Sequence, residues 1–473
     1  MPEPSIRLLV TVGLSYGSAH LYNKKYVFHP KDVDANHSTA YDRNKFILVS
    51  GLLLSWFYNG YSMVHSLATV AVSYTILWFG VQTGQRSNAC MAVWIFNALY
   101  LLSGYFFAPA DSYDISWTMP QCILCLRLMG LAFDVSDGGT ITTYNSNQTY
   151  PLSFGVDTPL PALPSWDQVA AYCYFPSAFL VGPQFSFSLY SRWLADPQLQ
   201  DKPMTNWEET RKAQSAAMVK CLLLAFMYMF LQLTIGNQYP TSYLLTDAYM
   251  QQSFLKRCFM FLVCGKFVFV KYISVWLLNE GACISFGIAY DGEDEQGIAK
   301  FDGLSNILPW TFETATSIGQ VIDSFNVNTN LWCKYYVFKR MKWAGSKDMS
   351  RAAALLFLAT WHGFCSMYYV VFFWEFICVL SEQTLQRRTK QFYATYVRGN
   401  ELHSLIWNIG SYLVCSATLY YAVVGFDLLT LHRSWVAYKS VYFIGHILTL
   451  LVLASDQHLH SPASSSLAGK KKH

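Results

Sequence analysis

The chain has 473 residues, of which 53% are hydrophobic, 17% aromatic and only 13% charged, against about 25% charged in an ordinary soluble domain. That much apolar surface cannot be hidden in a water-soluble fold, so an all-α polytopic membrane protein is expected. The formal charge of +4, with no lysine/arginine run tied to a recognition motif, excludes nucleic-acid binding.

A span needs about 20 mostly apolar residues. The first apolar segment, residues 6–21, is short and holds serines, glycines and His20, so it reads as an interfacial helix or a tilted span. Residues 46–81 carry no formal charge and are long enough for two helices, with the polar break YNGYS at Tyr58 to Ser62 between them. Further spans are predicted over 89–108, 119–133, 169–187, 216–235, 254–278, 352–379, 402–424 and 436–453. With a polar segment around Phe325 the total is ten or eleven membrane-embedded helices. They make one multispan domain, residues 1–454, followed by a hydrophilic tail, 455–473. No internal repeat is visible, which weighs against a transporter.

The loops carry addresses. Residues 134–167 are Pro- and Gly-rich and include Asn147-Gln148-Thr149, an acceptor pattern that would face the lumen if glycosylated. Lysine and arginine concentrate in 191–213, 339–351 and 387–398, which predicts cytosolic faces. Lys470 and Lys471 stand four and three positions from the end. That spacing fits a di-lysine retrieval signal to the endoplasmic reticulum, or else a basic membrane anchor. The twelve cysteines scatter through apolar segments as buried small side chains, and no metal-ligand set forms.

Ionisable groups inside spans are expensive and stand out for that reason. Lys266 and Lys271 lie within one apolar run with Glu280 just beyond, as a structural lysine–glutamate pair or as the lining of a polar cavity. In SFNVNTNLWCK, Asn326, Asn330 and Lys334 are spaced i, i+4, i+8 and would form one stripe on a helix. Lys339 and Arg340 follow in KYYVFKRMKW, and such a basic cluster beside a membrane stripe suits a phosphorylated ligand with an apolar end, as in acyl-CoA. His362, between Trp361 and Gly363 after the run LLFLAT, can take and return a proton near neutrality. A lone membrane histidine is more often a packed, hydrogen-bonded residue. Acyl transfer, however, needs a base for a hydroxyl and a donor near the thioester carbonyl, and His362 and Asn326 are candidates for these two catalytic roles.

Two patterns are read as chance. Gly13-Leu14-Ser15-Tyr16-Gly17 matches a nucleophile elbow but has no preceding sheet pattern. His29 and Asp34 have the H-x4-D spacing of another acyltransferase class, without its soluble α/β surroundings.

An asparagine six residues before a tryptophan (Asn326, Trp332), then a histidine in WHG after an apolar run, resembles the membrane-bound O-acyltransferase family. Within it the likeness is to the lysophosphatidylcholine acyltransferase branch. SFNVNTNLW, YVFKRMKW, LLFLATWHG, LVGPQFS (Leu180 to Ser186), YDISWTMPQC (Tyr113 to Cys122) and KYISVWLLNEG (Lys271 to Gly281) carry it, while the first 45 residues match poorly. The resemblance implies that His362 and Asn326 hold the two catalytic positions. Asn330, Trp332, Lys334, Lys339, Arg340, Trp361 and Glu280 then become substrate-binding candidates. It implies helices packed around a tunnel in the endoplasmic reticulum membrane, and a 1-acylglycerophosphocholine O-acyltransferase. Acyl-CoA would be a co-substrate rather than a cofactor, with a polyunsaturated preference and no metal. Lysophosphatidylcholine, lysophosphatidylethanolamine and lysophosphatidylserine would be acceptors. A sterol, diacylglycerol or protein acceptor, or a transporter, are the alternatives. Whether the chain acts alone or as a homo-oligomer is left open.

Overall fold

The computed structural model of this chain describes residues 3–27, 40–107, 116–139, 158–195 and 207–456. The Asn147 acceptor pattern, the His29/Asp34 spacing and Lys470 to Lys472 lie outside the described residues. Eighteen α-helices follow in order. They are α1 Glu3–Tyr26, α2 Ala40–Asn59, α3 Met63–Gln82, α4 Arg86–Phe107, α5 Thr118–Gly138, α6 Trp166–Cys173, α7 Phe187–Ala195, α8 Trp207–Leu231 and α9 Asp247–Met250. The chain continues with α10 Phe254–Phe286, α11 Pro309–Glu313, α12 Ile318–Ser324, α13 Val327–Tyr336, α14 Lys347–His362, α15 Ser366–Phe392, α16 Glu401–Leu428, α17 Leu431–Ser440 and α18 Ile444–Ala454. Among the described residues the only β pairing is two isolated bridges, Glu293 with Ala299 and Ile307 with Phe325.

Among the described residues, six helical stretches are long and apolar enough to cross a membrane, or seven when α17 and α18, bent by 84°, are taken as one span. Hydropathy alone predicts more because it cannot see breaks. Residues 46–81 carry a 3-10 turn over Gly60–Ser62 at the expected polar break, yet Ala40–Gln82 counts as one 43-residue stretch among the six. The predicted span 169–187 instead yields the eight-residue α6 followed by irregular chain. The predicted span 352–379 is cut at Gly363 into α14 and α15. The first helix, α1, is continuous over 24 residues but too polar to count as a span. At about 1.5 Å per residue, the 33-residue α10 is about 50 Å long and overreaches a hydrocarbon core of about 30 Å.

The long α10 is the central strut, packed against α8, α16 and α1. Two charges inside it are paired: Lys266 with Glu313, and Lys271 with Asp427 of α16. Glu280 pairs with neither lysine, which corrects the expected Lys–Glu pair. The irregular chain after α6 is held by Arg127 of α5. Its buried guanidinium donates to the carbonyls of Tyr172, Cys173, Ala178 and Pro183 and to Gln184 Oε1. A separate apolar cluster joins α4, α5, α13 and α14 around Leu126, Met129, Trp332 and Trp361. Trp332 and Trp361 of this cluster lie close in sequence to the candidate residues Asn326 and His362.

Candidate active site

The depth of the site is set by α5. Trp332 of α13 donates its indole N–H to the Leu126 carbonyl at 3.1 Å, and Trp361 of α14 donates to the Cys122 carbonyl at 3.0 Å. These carbonyls are one turn apart on one helix. Further along, Tyr336 donates to Asp134 at 2.8 Å and Arg340 pairs with Asp137, so α13 runs parallel to α5. The next helix returns: Ser350 Oγ donates to the Met341 carbonyl, Cys333 Sγ to the Ala354 carbonyl, and Trp332 stacks on Phe357. The start of α13 and the end of α14 therefore lie at the same end of this hairpin. Trp332 sits one turn, about 6 Å, further along α5 than Trp361, and Asn326 precedes Trp332 by six residues, about 9 Å of helix. Asn326 and His362 thus stand at the same depth to within about one helical turn.

Asn326 is the residue from which α13 springs, with φ 51° and ψ 43°. Asparagine tolerates this left-handed conformation better than other residues with a Cβ. Its side chain makes no capping bond to α13; Oδ1 instead accepts from Asn306 Nδ2 at 3.3 Å. Neighbouring Phe325 is wedged among Phe269, Trp276 and Phe312, which anchors the start of the helix.

At the other wall, His362 is the last residue of α14. Gly363 follows with φ 122° and ψ −168°, a region open essentially to glycine alone. That turn stops the helix and sends the chain into α15. The imidazole lies among Trp361, Tyr368, Phe372 and Phe426, with ring centroids 4.7 to 5.5 Å away. Neither ring nitrogen bonds a described residue. As a whole residue His362 is half-buried, and Tyr105 of α4 fixes the preceding backbone by donating to the Trp361 carbonyl at 3.0 Å.

The remaining sequence candidates divide. Asn330 is not on a functional stripe with Asn326: its amide donates to the carbonyls of Ile322 and Phe325, each at 2.9 Å, and seals the end of α12. Asn328 is buried and donates to the carbonyls of Leu304 and Ser305. Glu280, also buried, accepts from Ser305 Oγ at 2.7 Å and from the Asn306 amide at 3.2 Å. Lys334 is exposed, Lys339 lies 3.8 Å over the Tyr335 ring, and Arg340 is committed to Asp137 and the Phe133 ring. Sequence reading missed Asn306, Tyr105 and Phe426. It also passed over Arg127, although an arginine inside an apolar segment was signal enough. A cavity of about 1180 Å³ opens between α15, α16 and α18, lined by Trp374, Ser381, Glu382 and Trp407 among others. Its lining includes neither Asn326 nor His362.

The sequence model of the MBOAT, membrane-bound O-acyltransferase, family matches residues 102–423. Lysophospholipid acyltransferase 5 of Mus musculus is 34% identical over 469 residues, covering 97% of this chain and 89% of the relative. The protein of the same name from Drosophila melanogaster is 32% identical over 483 residues, covering 99% and 91%. Lysophospholipid acyltransferase of Schizosaccharomyces pombe is 27% identical over 372 residues, covering 76% and 70%. The first two alignments leave so little of the chain outside that the likeness extends into the first 45 residues, where sequence reading had found little. This multispan membrane chain belongs to the membrane-bound O-acyltransferase family.

Proposed function

We propose that this chain is a lysophospholipid acyltransferase that moves a fatty acyl group from acyl-CoA to the free sn-2 hydroxyl of a lysophospholipid. The observation that carries the reading is the arrival of Asn326 and His362 at the same end of the α13–α14 hairpin, each with a side-chain nitrogen that bonds no described residue. His362 takes the hydroxyl proton as the oxygen attacks the thioester carbonyl. The Asn326 Nδ2 group donates to the oxygen on which charge develops, a contribution of about 3–4 kcal/mol for one well-placed donor. The tetrahedral intermediate collapses, the C–S bond breaks, and the sulfur leaves as CoA with the proton returned by His362. No acyl-enzyme and no metal enter this scheme. The indoles of Trp332 and Trp361 hold the two walls at matching depth on α5.

The acceptors proposed are lysophosphatidylcholine and its ethanolamine and serine counterparts, the donors polyunsaturated acyl-CoAs, and the site a protein-lined tunnel in the endoplasmic reticulum membrane. The names of the three relatives support the acceptor class, and the basic residues around Lys334 and Lys339 support a cytosolic approach for CoA. The test is CoA release by membranes containing the wild type, His362→Ala or Asn326→Ala, given lysophosphatidylcholine and arachidonoyl-CoA. Formation of phosphatidylcholine by the wild type, with a loss of about 100-fold or more in each variant, is the expected result. Full activity in a folded His362→Ala protein would remove the base assignment. A folded wild type inert on every lysophospholipid would move the acceptor to a sterol, a diacylglycerol or a protein.

A further inference from the structure

Asn306 lies in the irregular chain between α10 and α11 and is 3% exposed. Every polar group it owns is engaged. Its N–H donates to Glu280 Oε2 at 3.2 Å, and its carbonyl accepts from the Val327 N–H at 3.0 Å. Its Oδ1 accepts from the Asn328 backbone N–H at 3.2 Å and from Asn328 Nδ2 at 3.3 Å. Its Nδ2 donates to Asn326 Oδ1 at 3.3 Å.

The direction of this relay is dictated by chemistry. A backbone N–H can only donate, so the group of Asn306 facing Asn328 must be its oxygen. The NH2 of Asn306 then faces Asn326, which must answer with its own oxygen. The NH2 of Asn326 is thereby turned away from Asn306, and no described residue accepts from it. The backbone is held at the same point, because the Asn306 carbonyl grips the first amide of α13, just after the left-handed residue. Glu280 secures the far end of the relay by accepting from Ser305 and from Asn306.

We propose that Asn306 is a positioning residue whose amide locks Asn326 with its NH2 directed at the reacting carbonyl oxygen, with Glu280 and Asn328 holding Asn306 in that orientation. The proposal rests on the reading of Asn326 as the oxyanion donor. A donor free to turn its oxygen inward would repel the developing charge in half of its orientations. A preorganised amide does not reorganise at the moment of reaction, and that is the source of its effect.

The experiment is a double-mutant cycle on full-length enzyme in detergent or nanodiscs, with kcat and KM normalised to the folded fraction. Asn306→Ala removes the donor to Asn326; Asn306→Asp, kept in reserve should the alanine variant fold poorly, still accepts from Asn328 but as a carboxylate holds no N–H for Asn326. The expected result is a fall in kcat on the order of 10- to 100-fold, with KM for acyl-CoA and lysophosphatidylcholine within about threefold of wild type. In an Asn326→Ala background the same substitution should lower kcat no further, because the group it positions is gone. Two outcomes overturn the proposal: Asn306 variants with wild-type kcat beside an impaired Asn326→Ala, or losses that multiply in the double variant, as a purely structural role requires. An Asn326→Ala enzyme with undiminished kcat instead overturns the donor reading itself, and the positioning role falls with it.

Discussion

Substitution of Gly363 by alanine separates the shape of the turn from the space around it. The residue sits at φ 122° and ψ −168°, where holding a side chain costs about 1–3 kcal/mol. Space is not the difficulty: a Cβ built there meets nothing closer than the Tyr105 ring at 3.6 Å. The whole penalty is therefore backbone strain, equivalent to about 5- to 150-fold in whichever equilibrium absorbs it. The chain can keep the turn and lose stability, or relax the turn and swing His362 out of its ring cage. The second route is favoured, because only Gly363, Phe364 and Cys365 join α14 to α15, so any relaxation moves one helix end or the other. The expected outcome is a fall in kcat within that range, per folded molecule, with KM nearly unchanged. Gly399→Ala is the control, since Gly399 also has positive φ, 87°, with nothing within 4 Å of a Cβ, and lies at the start of α16, away from the histidine. Turnover would be followed by CoA thiol release and stability by thermal unfolding in detergent. Equal stability losses in both variants, with kcat of Gly363→Ala within about twofold of wild type, would refute the claim that this turn aims His362.

Two further substitutions test what holds the scaffold. Arg127→Met keeps apolar bulk but leaves a ring of acceptors on the 172–184 segment without their donor. It should destabilise the protein by about 1–3 kcal/mol for an acceptor left buried and unpaired, and a thermal midpoint within about 2 °C of wild type would show the guanidinium to be dispensable. Lys271→Met and Asp427→Asn each remove one side of the ion pair joining α10 to α16, and because the pair is partly exposed each should cost only about 1 kcal/mol. The double variant should recover much of that loss, and a double as unstable as the worse single would mean the pair is not the coupling element.

The sequence made the membrane class and the long helices legible, each for a definable reason. Composition alone forces burial in lipid, and the break at Tyr58 to Ser62 shows as polar residues between apolar runs. It was misleading wherever a helix stops inside an apolar run. The run from Leu355 to Val379 is interrupted only by WHG and a few small or polar groups, so hydropathy reads straight through a turn that one glycine imposes. The same blindness merged α6 with the irregular chain after it, because that segment's carbonyls are satisfied by Arg127, distant in sequence. The Asn326/His362 pairing was read from a family pattern. Nothing in residue spacing revealed that the pair is levelled by two indoles on successive turns of α5.

The three asparagines of SFNVNTNLW show why a polar stripe in a membrane chain is a poor guide to chemistry by itself. In lipid every backbone group of a non-helical segment must find a partner inside the protein. The chain from Leu304 to Phe325 holds only two short helices, so its buried carbonyls and amides need such partners. Asn328 serves Leu304 and Ser305, Asn330 serves Ile322 and Phe325, Glu280 serves Asn306, and Glu382 of α15 serves Ile318. Asn330 and Glu382 are spent on backbone alone, and their removal should cost stability before it costs turnover. The irregular chain in turn makes possible what a straight helix could not: one asparagine in a left-handed conformation at a helix start, its oxygen tied down and its nitrogen left over. The polar residues of this region therefore form a hierarchy, in which most exist to make the backbone tolerable and Asn326 is what that backbone presents.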